Sequence, residues 1–183
     1  LGTAAGTLIA ITLWWSPAIN RVLDPYLVVL NALPKIALGP ILIVWFGAGI
    51  TSIIVMALLI SFVVTIMSVL AGFNEITGEK QLLMKTLGAS KLQIFTMVLL
   101  PASLPTIMNA LKISVGMSWV GVIVGEYLVS KAGLGYLIVY GGQVFKLDLV
   151  MASIVVLCLL AALMYYGVAY MEKKLVKWRM HGG

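Results

Sequence analysis

Residues 50–72 read ITSIIVMALLISFVVTIMSVLAG, with no charged side chain anywhere in the run. That length matches the roughly 20 residues an α-helix needs to cross a bilayer's hydrocarbon core. In hydrocarbon every backbone N–H and C=O must find a partner within the protein, so a spanning segment is either helical or part of a closed barrel. A barrel strand alternates apolar and polar positions, and this run does not. Four more apolar segments follow the same logic: 1–15, 26–46 (interrupted by Pro34 and Pro40), 103–127 and 148–170. The first is short for a span and carries no basic flank of the kind a signal peptide has. The chain opens on Leu1 and not on Met, which suggests a start truncated at the N-terminus. Hydrophobic residues make up 62% of the 183 positions and charged residues 10%, and the mean hydropathy is +1.14. A soluble domain has a very different composition. The expected fold is all-α: a polytopic helical membrane protein with about five transmembrane helices, in one transmembrane domain over residues 1–183.

One stretch breaks the apolar rhythm. Residues 74–101 read NEITGEKQLLMKTLGASKLQIFTMVLLP. The pattern predicts a helix, an elbow and a second helix. Gly88 follows Lys85–Leu87 as a left-handed stop. Ser90 stands three residues before Gln93, the spacing of a capping box that opens a new helix. Glu79 near the first helix's start and Lys85 near its end both suit the helix dipole. Leu82, Leu83 and Leu87 form an apolar stripe at helical spacing. A short capped helix with such a face, outside the membrane, has the form of a plug for a partner's groove.

The basic residues orient the chain. With 74–101 inside, Arg21, Lys80, Lys85, Lys91, Lys173, Lys174, Lys177 and Arg179 are cytoplasmic, while Lys131 and Lys146 alone lie opposite. The positive-inside rule supports that arrangement. Most of the net charge of +6 therefore reads as topology, not as a nucleic-acid signal. Trp14, Trp15, Trp45, Tyr165, Tyr166 and Tyr170 fall near span ends as an aromatic belt, and Trp119 falls deeper, between helices. The basic tail 173–179 reads as an anchor beside anionic lipid.

Several chemistries are excluded. The single Cys158 sits in an apolar run and the single His181 in the tail, so no disulfide framework or Cys-based metal site is encoded. GFNEITGEK at 72–80 fails the phosphate-loop spacing, because Gly78 is followed by Glu79, and no strand precedes it. No acid–base pair or metal-ligand cluster is visible.

The elbow carries a specific resemblance. Gly88, nine residues, Val98, one residue and Leu100-Pro101 resemble the cytoplasmic signature of binding-protein-dependent ABC importer permeases. Thr86-Leu87-Gly88-Ala89-Ser90 and Leu100-Pro101-Ala102-Ser103-Leu104-Pro105 are similar to that family too. Leu82, Leu83 and Met84 stand where the family has Glu-Ala-Ala, so a role of that Glu does not carry over to Leu82. Leu33-Pro34, Ala37-Leu38-Gly39-Pro40, Trp45-Phe46-Gly47, Gly125-Glu126 and Gly133-Leu134-Gly135-Tyr136-Leu137-Ile138 resemble the nitrate, sulfonate and taurine branch. The resemblance runs from about residue 2 to 178 and implies a type I ABC importer permease fold in the bacterial inner membrane. It implies that Leu82, Leu83, Leu87, Gly88, Ala89, Ser90, Leu100 and Pro101 form the coupling segment for an ATP-binding subunit. A second permease copy, an extracytoplasmic substrate-binding protein and the lipid bilayer are the other implied partners, with no nucleic acid. ATP and Mg would sit on the partner subunit, with no cofactor on this chain. The implied solute is small and anionic, such as a sulfonate, taurine or nitrate.

Within the spans, Pro40, Lys35, Lys112, Ser118 and Glu126 are candidates for the translocation path or a gate. Lys35 and Lys112 either snorkel toward the cytoplasmic interface or serve an anionic solute or a carboxylate partner. Glu126 is either an interfacial helix-end residue or a gate residue. Pro40 is expected to kink its helix in mid-span. Gly2 and Gly6 permit a close helix approach, and Ser114, Gly116, Ser118 and Gly121 give the fourth span a small-residue surface for packing or for lining a path. Segment 129–147 reads as a re-entrant or surface-lying helix on the outer side. Two other classes stay open: a secondary transporter without an ATPase, and a membrane structural or assembly subunit.

Overall fold

The computed structural model describes residues 2–75 and 78–176, the side chains of 78–81 and 175–176 excepted. The readings made for Lys177, Arg179 and His181, and for the side chains of Glu79 and Lys80, lie outside the described residues. The described elements are α1 (Gly2–Trp15), α2 (Pro17–Ala32), a 3-10 turn (Lys35–Leu38), α3 (Gly39–Phe46), α4 (Ile50–Glu75), α5 (Gly78–Thr86), α6 (Lys91–Ile94), a π turn (Phe95–Leu99), α7 (Leu100–Val129), α8 (Leu134–Gln143) and α9 (Leu147–Val176). The fold is all-α, as expected.

The uncharged run becomes α4, and α4 is the axis of the molecule. Between lipid-compatible helices there is no hydrophobic driving force, so small residues and hydroxyls decide which surfaces meet. On one side a Cβ at Gly6 would touch the Thr65 side chain at 3.0 Å, so α1 packs closely there. On the other, α7 brings Gly121 so near Ala57 that a Cβ would run into its backbone, with the Ala57 amide nitrogen at 3.0 Å. Gly125 meets Ile53 one turn further along. Gly116 faces open space, so the small-residue surface expected of the fourth span is only partly a contact surface. Three helices join at a hydroxyl cluster: Thr3 Oγ1 and Thr65 Oγ1 lie 3.0 and 3.1 Å from Ser114 Oγ. Toward the elbow end, Leu13, Val69, Phe73 and Leu99 are sealed in one apolar core.

Among the described residues, three helices, α4, Lys91–Val129 and α9, are long and apolar enough to span. The expected 26–46 span is instead a pair bent by 82°, and counting that pair gives a fourth candidate. The α1 helix, at 14 residues, is shorter than the ~20 a span needs. The bend corrects the reading of Pro40. The chain breaks at Leu33-Pro34, where Leu33 is extended at ψ 135, as a residue before proline prefers. Pro40 lies in the first turn of α3, where a missing N–H costs nothing, and it kinks no helix.

The fourth span is also longer than expected. Lys91 to Val129 forms one continuous 39-residue path, so the elbow's second helix and the span are a single rod. Pro101 cannot donate to the Met97 carbonyl and its ring crowds that group. The backbone answers by widening into a π turn, in which the Leu100 amide reaches the Phe95 carbonyl.

Candidate functional site

The elbow is built by short-range hydrogen bonds. The Gly88 amide donates to the Lys85 carbonyl at 3.0 Å and the Ala89 amide to Met84 at 2.9 Å, the paired bonds of a Schellman stop. Gly88 has φ 78, the left-handed region that disfavours a side chain. Ser90 Oγ then accepts from the Gln93 amide at 3.3 Å, and Gln93 Oε1 accepts from the Ser90 amide at 2.8 Å. Both ends of a four-residue bend, Leu87 to Ser90, are thus fixed. The α5 leucines stay uncovered: Leu82, Leu83 and Leu87 are 63%, 61% and 73% exposed. Ala89 is half-buried beside them, and Leu100 and Pro101 are half-buried in the rod beyond the π turn.

The candidates within the spans have partners the sequence did not disclose. Lys35 Nζ donates to the Asn31 carbonyl at 2.9 Å, closing the C-terminal end of α2. Four residues on, Gly39 packs against Leu128. Lys35 therefore lies toward the end of the bundle opposite the elbow, which speaks against the first of its two readings, snorkelling toward the elbow end. Lys112 Nζ meets Glu172 Oε2 at 2.5 Å, with the Tyr165 ring centroid 5.9 Å from the ammonium. This ion pair ties α7 to α9, as does the Trp119 indole N–H donating to Met164 Sδ at 3.0 Å.

Glu126 sits three residues before the end of α7. Its Oε2 accepts from the Gly135 amide at 2.8 Å, within the first turn of α8. A carboxylate there satisfies an orphan donor and faces the positive end of the helix dipole. Gly133 (φ 114) and Gly135 leave room for it, since a Cβ on either would collide with the Glu126 side chain. Glu126, Gly133 and Gly135 thus form one device that hangs the short helix α8 from α7.

Ser118 lines a cavity of about 510 Å³ between α1, α4, α7 and α9, with Thr3, Ser61, Ser114 and Trp119 among the other lining residues. No charged side chain lines it among the described residues. Ser118 Oγ itself donates to the Ser114 carbonyl at 2.8 Å. Pro40 is exposed and is not among the residues that line this cavity. The span candidates therefore do not converge on one place.

The sequence reading missed a cluster at the elbow end. Lys91 Nζ donates to the Trp15 carbonyl and lies 5.5 and 5.4 Å from the Trp14 and Trp15 ring centroids. Phe95 packs on both rings, at 5.5 and 5.9 Å, and on Phe73 at 6.4 Å. The available signal was Lys91 at the first position of a helix, an end whose dipole disfavours a cation.

The comparisons agree with this architecture. A family model described as "Binding-protein-dependent transport system inner membrane component" matches residues 2–177. The taurine transport system permease protein TauC of Escherichia coli is 32% identical over 177 residues, covering 97% of this chain and 64% of that protein. The formylaminopyrimidine transport permease protein ThiX of Halalkalibacterium halodurans is 31% identical over 179 residues, covering 98% and 72%. The chain thus spans roughly two thirds of the length of these relatives. An all-helical bundle with several apolar spans, matched almost end to end, belongs to the binding-protein-dependent transport system inner membrane component family, the multi-pass permeases of ABC transporters.

Proposed function

We propose that this chain is the membrane-spanning subunit of an ATP-driven importer, whose helices form a pathway opening alternately to each side. One observation carries the reading: three exposed leucines on α5, held at a fixed angle by an elbow locked on both flanks. Burying one leucine is worth about 2 kcal/mol, so this face has a docking free energy to offer that the described residues leave unused. The occupant is an ATP-binding subunit, with ATP and Mg held there and no cofactor on this chain. Residues 1–183 act as one permease domain, with 74–101 as its cytoplasmic docking segment. A second permease copy completes the pathway, and an extracytoplasmic binding protein delivers the solute.

The solute is small, and a sulfonate such as taurine, or another anion such as nitrate, is the first choice. That choice rests on the likeness to a taurine permease. Lys35 and Lys112 are engaged by Asn31 and Glu172, so selection of an anion falls to the binding protein. Ser118 is the best-placed path candidate, and Glu126 acts through α8. Family membership favours this reading over a secondary transporter or a purely structural subunit.

The test is co-purification in detergent of a co-expressed ATP-binding subunit. Leu87→Asp is expected to release it, and Gly88→Val, strained at φ 78, to weaken it. Leu82 replaces an acidic residue at this face, so retention should depend little on salt. Full retention in both variants overturns the assignment.

A further inference from the structure

We infer that Lys91 and Phe95 are positioning residues that tie the elbow to the end of α1, so that displacement of α5 moves the corner between α1 and α2. The inference rests on the docking role proposed for α5. Lys91 is the first residue of α6, where its own helix dipole repels a cation. Its ammonium instead serves the C-terminal end of α1, where a cation is favoured, by donating to the Trp15 carbonyl. That carbonyl is open because the Ile19 amide, next in the ladder, turns to Ser16 Oγ at 3.5 Å.

The Trp14 and Trp15 rings flank the same ammonium within 5.5 Å. Phe95 wedges between these rings and the buried Phe73 of α4. The chain between α5 and Lys91 is short and doubly capped, so it cannot absorb a rotation of α5 by flexing freely. On the far side of the contact only Ser16 separates α1 from α2. The α2 helix in turn ends at the 82° break. A push on α5 thus reaches a jointed helix pair through one cation and one ring.

The experiment uses the full-length permease assembled with its ATP-binding subunit and binding protein in proteoliposomes. Two quantities are read: ATP hydrolysed per solute imported, and nucleotide-induced change in hydrogen exchange at the Ser16, Ala18, Ile19 and Asn20 amides. Lys91→Met is expected to keep the ATP-binding subunit and its hydrolysis, to raise the ATP-to-solute ratio at least tenfold, and to abolish the exchange response. Lys91→Arg, which can donate to the same carbonyl and stack on the same rings, is expected to restore both. Should Lys91→Met not assemble, Phe95→Leu takes its place with the same expected readings. A wild-type ratio and exchange response in the assembled variant overturn the inference, and so does failure of Lys91→Arg to rescue. A wild-type permease that binds no ATP-binding subunit overturns the docking role itself, which separates the two failures.

Discussion

Helices α4 and α9 are almost equally apolar, yet half of the apolar stretch of α4 is buried and only 6% of that of α9. The difference lies in where the small and hydroxyl-bearing side chains meet a neighbouring helix. The buried positions of α4 include Ser52, Ala57, Ser61, Thr65 and Gly72, which let neighbouring backbones approach and give hydroxyls to hydrogen-bond. Ser61 Oγ and Thr65 Oγ1 return to carbonyls of their own helix at 2.9 and 2.8 Å, so those polar atoms cost little in an apolar setting. The surface of α9 shows Leu159, Leu163 and Tyr166, all largely exposed. Hydropathy reports which solvent a helix tolerates. Small residues at matching heights report which helix it will touch.

The sharpest way to break this comparison is Gly121→Val. The obstacle at that position is the Ala57 backbone, which cannot rotate aside, so the cost should sit at or above the ~3 kcal/mol upper end for overpacking. Thermal unfolding in detergent should show a clear drop in midpoint; an unchanged midpoint would mean α4 and α7 are less tightly matched than α4's burial indicates.

Next in size is Glu126→Ala. It removes a hydrogen bond to a charged acceptor, worth ~1.5–3 kcal/mol, from the device that holds α8 between α7 and α9. Hydrogen exchange at Gly135 and along α8 should accelerate while α4 stays protected. Acceleration spread evenly over the bundle would deny α8 its separate attachment.

Breaking the ion pair sharpens the picture of α9 itself. Lys112→Met or Glu172→Met alone leaves a charge without its partner, so each should loosen α9 more than the double variant does. A double-mutant cycle on unfolding in detergent measures that coupling. Strict additivity would show that the pair contributes nothing to holding α9. The smallest effect is expected for Leu159→Ala, within about 0.5 kcal/mol of wild type, because that side chain faces outward.

Legibility in the sequence followed the range of the interactions. The stop at Gly88 and the capping box at Ser90 and Gln93 join residues at most five apart, and both were readable from the order of residues. Which of the two prolines breaks the 26–46 segment was not. Pro34 and Pro40 satisfy the same local rule, and the choice between them depends on α3 docking against α4, where Ser52 Oγ donates to the Gly47 carbonyl. Leu42 buries in the same place against Met56 and Ile60. The segments 74–101 and 103–127 were set apart by their polarity, and the π turn before Pro101 joins them into one rod. Lys35, Lys112 and Glu126 stood out as charges in apolar surroundings. Their partners were hidden by distance along the chain for Lys112 and Glu172, and by an intervening turn for Glu126 and Gly135. The tie between Lys91 and Trp15 joins residues 76 apart and had only the misplaced charge to announce it.

The widened turn before Pro101 gives the elbow a heading. Each residue in an α-helix advances the chain about 100° around the axis. The turn at Phe95–Leu99 absorbs one residue more than a regular helix would, and so fixes how far the elbow end is rotated relative to the rod beyond it. A regular helix of the same number of residues would instead swing Lys91 by about 100° away from Trp15, carrying the α5 leucines with it. The interval between Gly88 and Val98 is in this sense a compass bearing more than a length: it sets the direction in which the docking face looks out from beneath the bundle.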